Sequence, residues 1–265
     1  MRESLIGATN YSRVDPWGET MDAVAAAHAA RGPIGDLGGR FMLDRATFAR
    51  GAELGLQPGF EFYVLGRFGV LGQVPAAVVA ASAVFVNPDM LARVWASATA
   101  TASPDKGAAL FNDICQSYGR AHLSAVPDLD RFVALAERVV DGASMINAPI
   151  AAGWRALPRA SDTEGRAQAF LHMLRELRMA RHAVCIHAER LSPLEAIVAG
   201  PGGAANAKMF GWPRPFPDAA SSSARRVAAE ARTDQLSAVD FAVLSEAERT
   251  EFVAALDRIV AYATK

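Results

Sequence analysis

The chain has 265 residues, 51% of them hydrophobic, and a formal net charge of −1. This is enough apolar content for a sizeable core, and the near-zero charge gives no global electrostatic reason to bind nucleic acid or an anionic membrane. Two cysteines, Cys115 and Cys185, exclude a disulfide scaffold and a four-cysteine zinc site, and read as reduced, buried thiols.

In chain order, residues 1–19 carry turn formers and aromatics (Asn10-Tyr11-Ser12, Asp15-Pro16-Trp17-Gly18) and read as an arm packed on the body. No N-terminal apolar run has the length of a signal peptide. The greasiest window, Val74 to Val86, falls short of the ~20 residues that span a bilayer. The expected location is therefore the cytoplasm, with no membrane partner. Met21 to Ala30 predicts a short helix ended by Gly32-Pro33, followed by a flexible turn at Gly35, Gly38 and Gly39. That turn does not fit a dinucleotide fingerprint, because no strand precedes it.

Asp44 to Leu56 predicts a helix with Asp44 as N-cap and Gly55 near its end. The aromatic run Phe60 to Phe68 follows. Pro75 sits in the first turn of a helix expected to reach about Phe85. Asn87-Pro88 and Ser103-Pro104-Asp105 open two more, and Asp130 caps another through Val139. Asp162 to Glu189 predicts the longest helix, and Ser192-Pro193-Leu194-Glu195 a capped restart ending at Gly200-Pro201. Residues 211–218 are too proline-rich to be regular. Helices over Ser222–Ser237 and Ser245–Tyr262 close the chain. No segment alternates long enough for a sheet core.

The expected fold is mainly α: two helical, degenerate winged-helix-like subdomains plus a long C-terminal helix. The domains are 1–40 (arm and short helix), 41–150 and 151–265. The last helix is a candidate dimerisation element for a homodimer.

Four segments, in this order, resemble a mainly actinobacterial helix-turn-helix-like family. They are Glu53-Leu54-Gly55-Leu56 with Gly59-Phe60 and Gly66-Arg67-Phe68; Gly72-Gln73-Val74-Pro75 with Val78-Val79, Asn87-Pro88 and Met90; Leu174-Arg175-Glu176 through His182; and Glu230-Ala231-Arg232-Thr233-Asp234 with Leu244-Ser245 and the last helix. The fourth also resembles the end of a MarR-type regulator. The resemblance implies a winged-helix-like architecture and carries over no reaction and no catalytic residue. Two departures matter. The family has a longer insert between its Gly-Trp turn and the Glu-Ala-Arg-Thr-Asp helix, whereas residues 213–229 alone separate Trp212 from Glu230 here, with Arg214, Arg225 and Arg226 as the bases. A recognition helix and wing do not fit there, so the reader segment looks lost and DNA is disfavoured as a partner. Positions where the family often has histidine are Val86-Asn87 and Leu177.

The candidate site lies on the predicted helix around Leu171–His182, which gathers Arg175, Glu176, Arg178, Arg181 and two histidines. On a helical wheel His182 falls beside Arg175, and Arg178 about 60 degrees away. Phe170, Met173, Leu177, Ala180 and Val184 form the opposite, core stripe. Charge on a helix is ordinarily a solvated face. Leu171, Met179 and Ile186 share this polar stripe, however, which argues that it touches another domain, a subunit or a ligand. Glu176, about 100 degrees from Arg175, is expected to orient a neighbour instead.

The working reading is a small-molecule-binding protein whose ligand is apolar with an acidic end. Arg67, Arg175, Arg178 and His182 would hold that end, and Phe60, Tyr63 and Trp212 would wall the apolar part. Arg67 would need a partner if buried. The alternatives are a DNA-binding regulator reading through Val74 to Trp95, and a cofactor-independent enzyme with His182 and Glu176 as acid and base. His182 and His187 lie about 140 degrees apart on the wheel, so no metal is expected, and no motif calls for a cofactor.

Overall fold

A computed structural model describes residues 21–57 and 59–263. Thirteen α-helices and no strand are found among them. The fold is mainly α, as the sequence predicts. The predicted N-terminal arm lies outside the described residues.

The helices are α1 (Ala23–Leu37), α2 (Arg45–Arg50), α3 (Phe60–Phe68), α4 (Ala76–Ala83), α5 (Pro88–Thr101), α6 (Pro104–His122) and α7 (Leu129–Gly142). They continue with α8 (Pro149–Arg155), α9 (Thr163–Ala188), α10 (Pro193–Val198), α11 (Gly203–Met209), α12 (Ala219–Phe241) and α13 (Glu246–Ala263). Most starts are set by side chains that satisfy the free N–H groups of a first turn. Asp44, Asn87, Asp162 and Asp218 each accept from a backbone N–H just inside their helix. Ser192 and Glu195 form a reciprocal capping box. Proline occupies the opening turn of α5, α6, α8 and α10, where its missing N–H costs nothing.

Several predicted ends move, including those of α2 at Arg50 and of α12 at Ala219 and Phe241; two further changes bear on the site. The first helix does not stop at Gly32-Pro33 but runs to Leu37 with Pro33 inside it. Its buried stripe Ala26, Ala27, Ala30, Ile34 and Leu37 continues across the proline, and packing on α9, α12 and α13 outweighs the lost backbone bond. The turn then falls at Gly38. A β-carbon there would sit 2.4 Å from the carbonyl oxygen of Leu171, so glycine lets the end of α1 touch the backbone of α9. The second change is at α4, which stops at Ala83 because Val84 takes a left-handed φ of 58°.

The long helix α9 is the axis of the molecule, packed by α1, α6, α7, α8 and α12. Around it the main core draws residues from Ala26 to Ile259 and so crosses both boundaries predicted from sequence. Two smaller apolar clusters flank the C-terminal half of α9. One joins Cys185, Ile186, Leu191, Ala196 and Ala229 to Val84 and Phe85. The other joins Ala143, Ala148, Ala151 and Leu177 to Met145 and Ala180. Both cysteines are free and buried. No single described helix is long and apolar enough to cross a membrane.

Candidate functional site

Charged residues on α9 do not share one open face. Each is drawn to a different carboxylate, because a cation buried in a greasy protein needs a counter-charge. Arg67, on α3, is 4% exposed and Glu176 is 1% exposed. They meet as a bidentate pair, with Nε donating to Oε1 at 3.0 Å and NH2 to Oε2 at 2.8 Å. The remaining Arg67 nitrogen donates to the Tyr63 hydroxyl at 2.7 Å, and Phe60 stacks on the Tyr63 ring. Arg175 also donates to Glu176 Oε1, at 2.8 Å. Glu176, expected to orient a neighbour, holds two side chains, Arg67 and Arg175. Side chains on successive residues reach the same point because Arg175 is long and folds back.

Two guanidiniums therefore share one carboxylate. Burial alone would raise the Glu176 carboxyl, but the Arg67 and Arg175 charges outweigh it and hold it at about 2. Burial pushes His172 down to about 4, so its ring is neutral at pH 7. The constellation keeps one uncompensated positive charge.

His182 and Arg178 belong to a second constellation. The Thr233 hydroxyl donates to the Ala229 carbonyl at 2.6 Å, so it accepts from His182 Nδ1 at 2.8 Å. The ring carries its proton on Nδ1 and leaves Nε2 as an unpartnered acceptor. Burial, then the nearby Arg226, brings His182 to about 4. Arg178 donates to Glu230 at 2.6 Å and Asp234 at 3.3 Å, and Arg226 also pairs with Glu230. The face of His182 stacks on Phe85, whose carbonyl accepts from Trp212 Nε1 at 2.8 Å. A water-sized cavity of about 20 Å³ touches Arg178 and Ser237, whose Nε and Oγ have no other partner.

A larger cleft, about 550 Å³, opens between α4, α8 and α9. Its walls are mostly apolar, including Val84, Ile150, Met179 and Ala183, with Ser82, Asn147, Glu176 and His187 as polar members. Of the predicted site residues, Glu176 alone lines it. Arg67 and Arg175 do not line the cleft but pair with that carboxylate, with Tyr63 next to Arg67 and Phe60 stacked on Tyr63. Arg178, His182 and Trp212 do not line the cleft; His182 and Trp212 both contact Phe85, the residue after the cleft wall at Val84.

Of the interleaved apolar residues, Met179 faces the cleft and Leu171 and Ile186 are buried. The opposite stripe is buried at Phe170, Met173 and Leu177, while Val184 is 43% exposed at the cleft rim.

Sequence reasoning assigned no site role to four contributors. His172 touches Glu176 one helical turn along, a spacing that was visible in the sequence. Arg181 pairs with Asp240 and donates to the Ser144 and Ile146 carbonyls, which holds the segment leading to Asn147. The strained Val84 and Asn147, with φ of 58° and 57°, both line the cleft. Among the described residues no three His, Cys, Asp or Glu side chains cluster as a metal site requires.

A family model described as a helix-turn-helix family matches residues 27–265. No match was found among curated proteins or among solved structures.

Proposed function

The chain belongs to this helix-turn-helix family, and from that premise we propose that this member binds a small, largely apolar molecule with an anionic end in the cleft of α4, α8 and α9. One observation carries the reading. A mostly apolar cleft, within the ~300–1,000 Å³ range of ligand sites, counts in its wall Glu176, whose carboxylate is shared by the buried Arg67 and the partly buried Arg175. The surplus positive charge favours an anion at that part of the wall, and the low dielectric around it strengthens the attraction. Arg67 and Arg175 are the charge source, with Tyr63 and Phe60 fixing Arg67. Arg178, His182 and Trp212 support the adjoining wall through Phe85.

The test is a thermal-shift series with medium-chain fatty acids on the wild type, Arg175→Ala and Ala183→Phe. Binding at a hundred times Kd should add about 2.7 kcal/mol of stability, a shift of a few degrees. Both substitutions should remove the shift while the unliganded proteins still melt cooperatively. A flat response of the wild type across a broad set of lipophilic acids defeats the reading.

Family membership favours a second reading, a DNA-binding regulator. Its candidate reader, α4 and α5, carries Arg93 as the only base between Ala76 and Thr101, few for phosphate neutralisation. Duplex binding that falls steeply with salt would restore this reading. The enzyme reading, with His182 and Glu176 as acid and base, loses ground on protonation. At about 4 and about 2 both groups are unprotonated at pH 7, so neither is an acid there.

A further inference from the structure

We infer that the α4 wall of the cleft carries a sprung hinge at Val84, and that an occupant of the cleft releases it, so that the last turn of α4 closes on the occupant as Val84 leaves its strained conformation. This rests on the cleft being a ligand site and adds how that site closes.

Val84 has φ 58° and ψ −57°. Across it the Phe85 N–H donates to the Ala83 carbonyl at 2.6 Å. These angles and this bond make a γ-turn of the positive-φ form, which is rare and strained for any L-residue. Valine sharpens the strain, because both branches at its β-carbon crowd the backbone at positive φ. Of the four described non-glycine residues with positive φ, Val84 is the one β-branched residue, and it lines the cleft. Glycine would make the same turn without strain, yet the chain places valine there.

Strain of this kind persists only where the surroundings enforce it. After the turn, the chain is fixed. The Phe85 carbonyl accepts from Trp212 Nε1 at 2.8 Å, the Phe85 ring stacks on His182, and the Asn87 N–H donates to the Phe210 carbonyl at 2.9 Å. Val84 and Phe85 also pack on the apolar cluster around Ile186. Before the turn, the start of α4 is held, since Trp95 Nε1 donates to the Val74 carbonyl at 3.0 Å and Val79 is fully buried. The last turn of α4 is tied less firmly. Ala81 and Ser82 line the cleft, and the Ser82 hydroxyl donates to Val78 of its own helix. The helix packs chiefly on α5, and no charged residue lies between Phe68 and Asp89 to lock it with an ion pair. The cleft is thus the side on which this turn lacks packing. An apolar occupant supplies it, and the small side chains of Ala81 and Ser82 permit a close approach. The strain released at Val84 then adds to the binding.

The test is thermal melting of the unliganded protein together with titration calorimetry of decanoate, on the wild type, Val84→Ala and Val84→Gly. Both variants lose the valine contacts with an occupant. Alanine keeps a β-carbon and with it strain at positive φ, whereas glycine has none. Unliganded Val84→Gly should melt a few degrees above Val84→Ala, although glycine ordinarily costs stability by loosening the unfolded chain. Decanoate should bind Val84→Gly about tenfold more weakly than Val84→Ala, because glycine leaves no strain to release. Equal affinities in the two variants overturn the hinge and leave the cleft standing, since the strain would then be the same with and without an occupant. A glycine variant that melts no higher than the alanine variant overturns the strain itself. Failure of the wild type to bind decanoate overturns the cleft reading and this inference together.

Discussion

Removing the Glu176 carboxylate would leave the buried Arg67 guanidinium without its counter-charge and close to that of Arg175. Glu176→Gln should therefore cost about 3–5 kcal/mol of stability in urea unfolding. Arg67→Met should cost less, because Arg175 and Glu176 remain as a one-to-one pair. The opposite order would contradict the shared-carboxylate geometry. The same residues set the response to acid. His172 and His182 stay neutral to about pH 4, whereas in the unfolded chain they protonate near 6.5. The unfolded state thus binds more protons between those values, so stability is full above pH 6.5 and falls as pH drops toward 4. For the fully buried His172 the loss is at most roughly 3 kcal/mol. Glu176 and Glu230, near 2 folded and 4.5 unfolded, extend the loss below pH 4.5. Urea midpoints from pH 8 to 4 check this, and His172→Asn should flatten the upper part of the slope. A midpoint that is level from 6.5 to 4 would refute it.

Among the elements, the contact of α1 with α9 has a built-in control. Gly38→Ala would drive a β-carbon into the Leu171 carbonyl at 2.4 Å, and backbone cannot step aside as a side chain can. The expected cost is about 1–3 kcal/mol. Gly35, one turn earlier in the same helix, has open space, so Gly35→Ala should be neutral or stabilising by up to about 1 kcal/mol. Melting temperatures of the two variants decide the matter, and equal effects would remove the close approach. Helix starts such as Asp44, Asn87-Pro88, Asp162 and Ser192 were legible because a cap and its helix are neighbours in sequence. The passage of α1 through Pro33 was not, since the packing that compensates comes from α12 and α13, far along the chain. The site was half legible for the same reason. Arg67 stood out as a base in need of a partner, but that partner lies 109 residues away. A helical wheel sorts the faces of α9 without revealing that neighbours cover nearly all of them.

At the scale of the whole molecule, one core threads all three segments that the sequence suggested as separate units, with α9 as their common wall. The cleft opens beside the C-terminal half of α9, where that core gives way to two small apolar clusters. Stability and the candidate site therefore meet at Glu176, part of the cleft wall and partner to charges in the core. Trp154 gives this arrangement an optical outlet. Among the described tryptophans it is the one edge-on to His172, with its indole N–H tied to the backbone of Arg67. Indole emission responds to nearby charge and hydrogen bonding. An occupant that disturbs the Arg67–Glu176 pair would thus announce itself as a change in fluorescence colour, in the unlabelled protein and without any assay for its chemistry.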